Sequence, residues 1–224
     1  MIKHHPDDDL LLAMAAGRLP AMSPGRALVI ATHLEGCREC RSRFTTLQAL
    51  GGALLELAEP QPLAAGALAA TLQRIANAPP EALPRRRGDG QVPSAIQLPR
   101  GVTWPDSLRG VQVTRWRWMG PGRRFARVQL PHDTAGSLIL LRIEPGYSLP
   151  RHRHDELEFT QVLCGTFADE RGMFGPGDFD VAGSDVQHEP LVQPGTACVC
   201  LTWVEGRLQF DGGIAAAIAR WAGV

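Results

Sequence analysis

The chain has 224 residues, 44% of them hydrophobic, and its 23 Lys and Arg balance 23 Asp and Glu. That length suits one large domain or two small ones, each able to bury a core, and two is the expectation. Zero net charge removes any global electrostatic reason for nucleic acid or an anionic membrane as a partner, and leaves a protein or a small ligand as the better fit.

The first apolar run, Leu10 to Ala16, follows three aspartates and is too short for a membrane span of about 20 residues, so a cytoplasmic protein is expected. Asp7 to Asp9 suit the positive end of a first helix that Gly17 stops. Ser23 followed by Pro24 pairs a capping residue with a favoured first helical position, and a second helix should run through Leu28, Ile30 and Leu34 to Gly36. A third helix starts at the Cys37–Cys40 turn, carries Phe44, Leu47, Leu50, Leu54 and Ala58 on one face, and ends before Pro60 and Pro62. A fourth spans roughly 64–77.

From Ala78 to Gly101, Pro, Gly and charge replace any apolar period, as expected of a linker, and the run Arg85 to Arg87 reads as solvated linker charge. Beyond Val102, short β-prone runs such as "VQVTRWRW", "SLILLRI", "EFTQVLCGTF" and "ACVCLTWV" alternate with Gly and Pro turns, which predicts a compact antiparallel barrel or sandwich. Trp116-Arg117-Trp118 reads as a strand with one face in the core, and Ile214 to Trp221 as a closing helix. The fold class is therefore α+β in two domains: an all-α bundle over 1–80, a linker over 81–101, and an all-β domain over 102–224.

Two clusters carry metal chemistry. "THLEGCREC" sets His33, Cys37 and Cys40 in His-x3-Cys-x2-Cys spacing, two thiolates at a helix start with an imidazole one turn before them. A structural zinc site is nearly always tetrahedral, and His5, just ahead of the first helix, is the candidate fourth ligand rather than its neighbour His4. Two thiolates with two neutral imidazoles make an uncharged zinc site, so its burial costs little. The second cluster is "GYSLPRHRHDELEFTQVLCG", where His152 and His154 share a strand face and Glu158 enters from the next strand, with His188 downstream. Three His and one Glu suit zinc or another divalent ion with positions open to water or a ligand. His132, beside Pro131, is read as structural, and Cys164, Cys198 and Cys200 as strand residues of the core.

The spacing Gly146, His152, His154, Glu158, Gly165 resembles the first motif of the cupin barrel, with His188 as the histidine of the second motif. That second motif departs from the cupin pattern at Val192, where an Asn is usual. His5, His33, Cys37 and Cys40 resemble the ligands of the zinc-binding anti-sigma domain, and the combination with a cupin is similar to ChrR-type anti-sigma factors over essentially the whole chain. The resemblance implies a cytoplasmic regulator, not an enzyme, that holds an extracytoplasmic-function sigma factor in a 1:1 complex and releases it under singlet-oxygen or peroxide stress sensed by the cupin. The alternative is a metal-dependent cupin enzyme such as a dioxygenase.

Overall fold

In the computed structural model of the chain, the described residues are 1–19, 23–78, 96–99, 101–130, 133–206 and 208–210. Most of the expected linker, with Arg85 to Arg87, lies outside them, as do His132 and the expected closing helix.

The helix boundaries follow local chemistry. In α1 (Asp8–Ala15) the Asp7 carboxylate accepts from the Leu10 amide at 2.8 Å, satisfying one of the donors that a helix start leaves unpaired. Ser23 caps α2 (Pro24–Gly36) in the same way, with Pro24 at the first position. Cys37 ends α2 and caps α3 (Arg38–Leu57), its sulfur accepting from the Cys40 amide at 3.4 Å. The fourth helix, α4 (Ala67–Asn77), starts at Gly66, whose φ of +81° is the left-handed conformation glycine adopts without strain.

Helices α1, α2 and the first half of α3 pack together around Leu11, Val29, Ile30 and Cys40. The apolar face expected along α3 is used only in part: Phe44 and Leu47 are half-buried, whereas Leu50, Leu54 and Ala58 are exposed. No residue of α4 is buried among the described residues.

Residues 112–210 form an antiparallel barrel. Its strands are β1 (Gln112–Val113), β2 (Arg117–Trp118), β3 (Arg123–Gln129), β4 (Gly136–Ile143), β5 (His152–His154), β6 (Glu158–Cys164) and β7 (Phe167–Asp169). They continue as β8 (Gly172–Phe174), β9 (Phe179–Ala182), β10 (Gln187–His188), β11 (Leu191–Val192), β12 (Cys198–Glu205) and β13 (Leu208–Phe210). The large sheet runs β1-β3-β4-β12-β6-β9, with β2 also on β3, and faces the smaller sheets β10-β5-β13 and β11-β7-β8. "VQVTRWRW" forms two short strands rather than one. Thr114 lies between them, and its hydroxyl accepts the Arg127 amide at 2.9 Å, which interrupts the ladder; Trp116 is half-buried and Trp118 is 60% exposed.

The central strand β12 is buried on both faces. Cys198 and Cys200 point inward with Ile143, Val162 and Phe174, while Leu201 and Trp203 point outward into the core shared with the helices. Helix α2 lies across that outer face and packs against β6, β12 and β4. Trp203, Phe159, Phe179, Ile30 and Leu201 are almost fully buried there, each worth about 1.5–3 kcal/mol by the area it removes from water. One sheet thus has a cluster of histidines on its inner side and the helices on its outer side.

Candidate metal centres

The first cluster assembles at the junction of α1, α2 and α3. One ligand atom from each of His5, His33, Cys37 and Cys40 lies within 4.8 Å of all the others. Cys37 and Cys40 are brought together by the turn that starts α3, and His33 is one helical turn back on α2. His5 Nδ1 stands 3.4 Å from Cys37 Sγ and 3.3 Å from Cys40 Sγ. His33 Nε2 is buried with no hydrogen-bond partner among the described residues, and its other nitrogen, Nδ1, faces the Gln161 amide oxygen at 3.0 Å. An acceptor opposite Nδ1 keeps the ring proton there and leaves the Nε2 lone pair facing inward. His4 turns the other way, its ring 4.3 Å from that of Phe174, and is not part of the cluster.

Burial lowers the His33 pKa, so the imidazole is neutral and able to ligate. Burial, and then the hydrogen bond and charge of Cys37, push the Cys40 thiol up to about 12. A buried Cys40 thiol this hard to ionise is matched by a cation, which deprotonates coordinating thiols outright. Two sulfurs and two ring nitrogens at these separations fit a tetrahedral zinc ion.

The second cluster lies inside the barrel. His152 and His154, two apart on β5, share its inner face, and antiparallel pairing sets His188 of β10 opposite His152. The Nε2 atoms of His154 and His188 are 3.2 Å apart, and those of His188 and His152 3.1 Å. With metal–nitrogen bonds of about 2.1 Å, ligand nitrogens around one ion fall about 3.0–3.4 Å apart, so three converging lone pairs fit a divalent metal. Burial lowers both His152 and His154 to about 4, which keeps them neutral.

Each of two rings is oriented from behind. His152 Nδ1 lies 2.8 Å from the Pro150 carbonyl oxygen. His188 Nδ1 lies 3.0 Å from Asp169 Oδ2 and 2.9 Å from Arg171 Nη2. A ring that keeps Nε2 free carries its proton on Nδ1, so the bond to Asp169 is the compatible one. Arg171 joins Asp169 to Asp180, at 2.7 Å from each. Burial alone would raise Asp169, but the bonds from His188 and Arg171 hold it well below the usual carboxylate range. Burial pushes Asp180 up, opposed by Arg171.

Glu158 stands slightly apart from the three histidines. Its Oε1 accepts from the Thr160 hydroxyl at 3.1 Å and its Oε2 is 3.6 Å from His154 Nδ1, so it is outside the tight group but lines the same cavity. That cavity is about 40 Å³ and is also lined by Cys198, Cys200 and Thr202. Cys198 Sγ and Cys200 Sγ are 3.7 Å apart, and the hydrogen bond between them, with burial, raises the Cys200 thiol well above its ordinary value. Gly165 is required where it is: at φ +71°, a Cβ there would fall 2.5 Å from Cys198 Cα.

Gln161, Asp169, Arg171, Asp178 and Asp180 had no individual signal in the sequence.

Residues 106–208 match the model of the ChrR cupin-like domain. The anti-sigma-E factor ChrR of Cereibacter sphaeroides is 39% identical over 212 residues, covering 94% of this chain and 93% of that protein. The crystal structure of Rhodobacter sphaeroides SigE in complex with the anti-sigma ChrR matches 92% of this chain and 100% of the other at a TM-score of 0.67, with 35% sequence identity. On this likeness along nearly its whole length, in which both ligand clusters lie, the chain belongs to the ChrR family of anti-sigma factors.

Proposed function

We propose that this chain binds and inhibits an extracytoplasmic-function sigma factor in a 1:1 complex, in the cytoplasm, and so regulates transcription. The observation that carries this reading beyond family membership is the exposed apolar surface on the second half of α3 and on α4. Leu54, Leu55, Leu57, Leu68, Leu72 and Ile75 are all exposed, and no described element covers them. Exposed apolar faces on helices are what a partner's hydrophobic groove takes up. No described helix is long and apolar enough to cross a membrane.

His5, His33, Cys37 and Cys40 would hold zinc, which ties the start of the chain to the α2–α3 turn and fixes the helical surface from which α3 and α4 project. His152, His154 and His188, with Glu158 moving in as a fourth ligand, would hold zinc or another divalent ion in the barrel. When bound, that metal supplies a Lewis-acidic centre whose coordination can change on meeting an oxidant. Residues 1–80 form the sigma-binding part and 102–224 the sensor, joined by 81–101. Release under singlet-oxygen or peroxide stress then follows from any change at the barrel site that favours a different packing of β6 and β9 against α2.

The enzyme alternative is disfavoured by room: a cavity of about 40 Å³ admits a few water-sized molecules beside an ion, not an organic substrate. Co-expression with the extracytoplasmic-function sigma factors of its host tests the reading. Retention of one sigma factor in equimolar amount supports it; retention of none by the zinc-loaded chain overturns it.

A further inference from the structure

The first cluster is not built by the helices alone. Strand β6 alternates: Glu158 and Thr160 face the barrel interior, while Phe159 and Gln161 face α2. Gln161 is 3% exposed, and its amide is oriented at both ends. Its nitrogen donates to the Val162 carbonyl at 3.1 Å, which leaves the oxygen to accept from His33 Nδ1 at 3.0 Å. The Phe179 ring of β9 contacts the same imidazole edge-on, with centroids 5.6 Å apart.

His5 is placed from the barrel too. Asp178 Oδ1 accepts from the amides of Lys3 (2.6 Å) and His4 (3.0 Å), and the Phe179 amide donates to the His4 carbonyl at 3.1 Å. The start of the chain therefore lies along the beginning of β9, with His5 next in line. Two of the four ligands, Cys37 and Cys40, are set by the local turn; the other two, His33 and His5, are held by barrel residues.

We propose that Gln161 is a positioning residue for the N-terminal zinc site, fixing the His33 ring with Nε2 toward the metal, so that zinc affinity depends on docking of the barrel against α2. This rests on the reading of the His2Cys2 cluster as a zinc site. Outer hydrogen bonds that fix a ligating histidine typically carry 10–100-fold in metal affinity. The coupling is reciprocal: zinc bound at the first site stabilises the docked barrel by the same factor that docking adds to zinc affinity. Strands β6 and β9 carry Glu158 and Asp180 on their opposite face, so a rearrangement in the barrel reaches the first site through two strands that touch both.

The test is a cobalt titration of the full chain, following the thiolate-to-cobalt charge-transfer band, with Cys37→Ser assigning the band to the first site. Gln161→Met, similar in size but without the acceptor, is expected to weaken cobalt binding about 10-fold or more, and Gln161→Glu, which keeps an oxygen acceptor, to restore most of it. A folded Gln161→Met chain with wild-type affinity overturns the role of Gln161 and leaves the zinc site standing. No such band in the wild-type chain overturns both. If Gln161→Met does not fold, ring-nitrogen NMR of the zinc-loaded wild-type chain decides: His33 bound through Nε2 with a proton on Nδ1 supports the proposal, and binding through Nδ1 overturns it.

Discussion

Gly25 lies so close to Trp203 that a Cβ on the glycine would fall 2.3 Å from the indole Cδ1. The Gly25 amide also donates to Asp133 Oδ2 at 2.7 Å, and Arg26, one residue on, pairs with Glu205 and places its guanidinium 4.4 Å over the Trp203 ring. The first turn of α2 is thereby fastened to β12 by a close approach that only glycine permits. Gly25→Ala is expected to lower stability by about 1–3 kcal/mol, because neither helix backbone nor buried indole can move cheaply. Thermal unfolding checks the loss, and faster proteolysis between the helices and the barrel would place it at this contact.

Leu68→Asp and Leu72→Asp on α4 should act in the opposite way. Both positions are exposed, so each change should alter stability by no more than about 0.5 kcal/mol, while each weakens sigma-factor binding by about 10-fold or more. Binding isotherms beside melting curves separate the two effects, and equal binding by the variants would remove α4 from the interface.

The helices α3 and α4 were readable in the sequence, as were the start of α1 at the Asp7 to Asp9 charges and the Ser23 cap of α2, because end signals and 3.6-residue periodicity are local. What α3 and α4 bury was not readable, since an apolar stripe has the same spacing whether its partner is in the same chain or another. The same limit applies to the sites. His33, Cys37 and Cys40 stand close in sequence, and His152 and His154 alternate on one strand, so spacing announces them. Gln161 meets His33 across 128 positions, and Asp169, Arg171 and Asp180 meet behind His188 through barrel closure; only the tertiary fold brings these together.

Asp169→Asn should lower affinity for the barrel metal about 10–100-fold, because the amide no longer holds a proton on His188 Nδ1 as a carboxylate does. Metal release to a competing chelator, followed by elemental analysis of each site, measures this. The first site should keep its metal.

The metal-free chain should weaken in mild acid. His152 and His154 titrate near 4 in the folded barrel and near 6.5 when unfolded. Between those values the unfolded chain binds more protons, so stability falls as pH drops from about 6.5 to about 4, by on the order of a few kcal/mol for the pair. Above about 6.5 this contribution is complete and flat. Denaturant midpoints across that range, taken on metal-free protein, give the slope; stability unchanged from pH 7 to pH 4.5 would contradict it.

Hydrogen exchange on the full chain, alone and with its sigma factor, bears on the whole account at once. The account predicts a 1:1 complex in which new protection concentrates between Leu50 and Ile75, on the apolar helices left uncovered in the free chain. A complex whose protection falls on the barrel and spares that segment, or no complex at all with both metals in place, would contradict it.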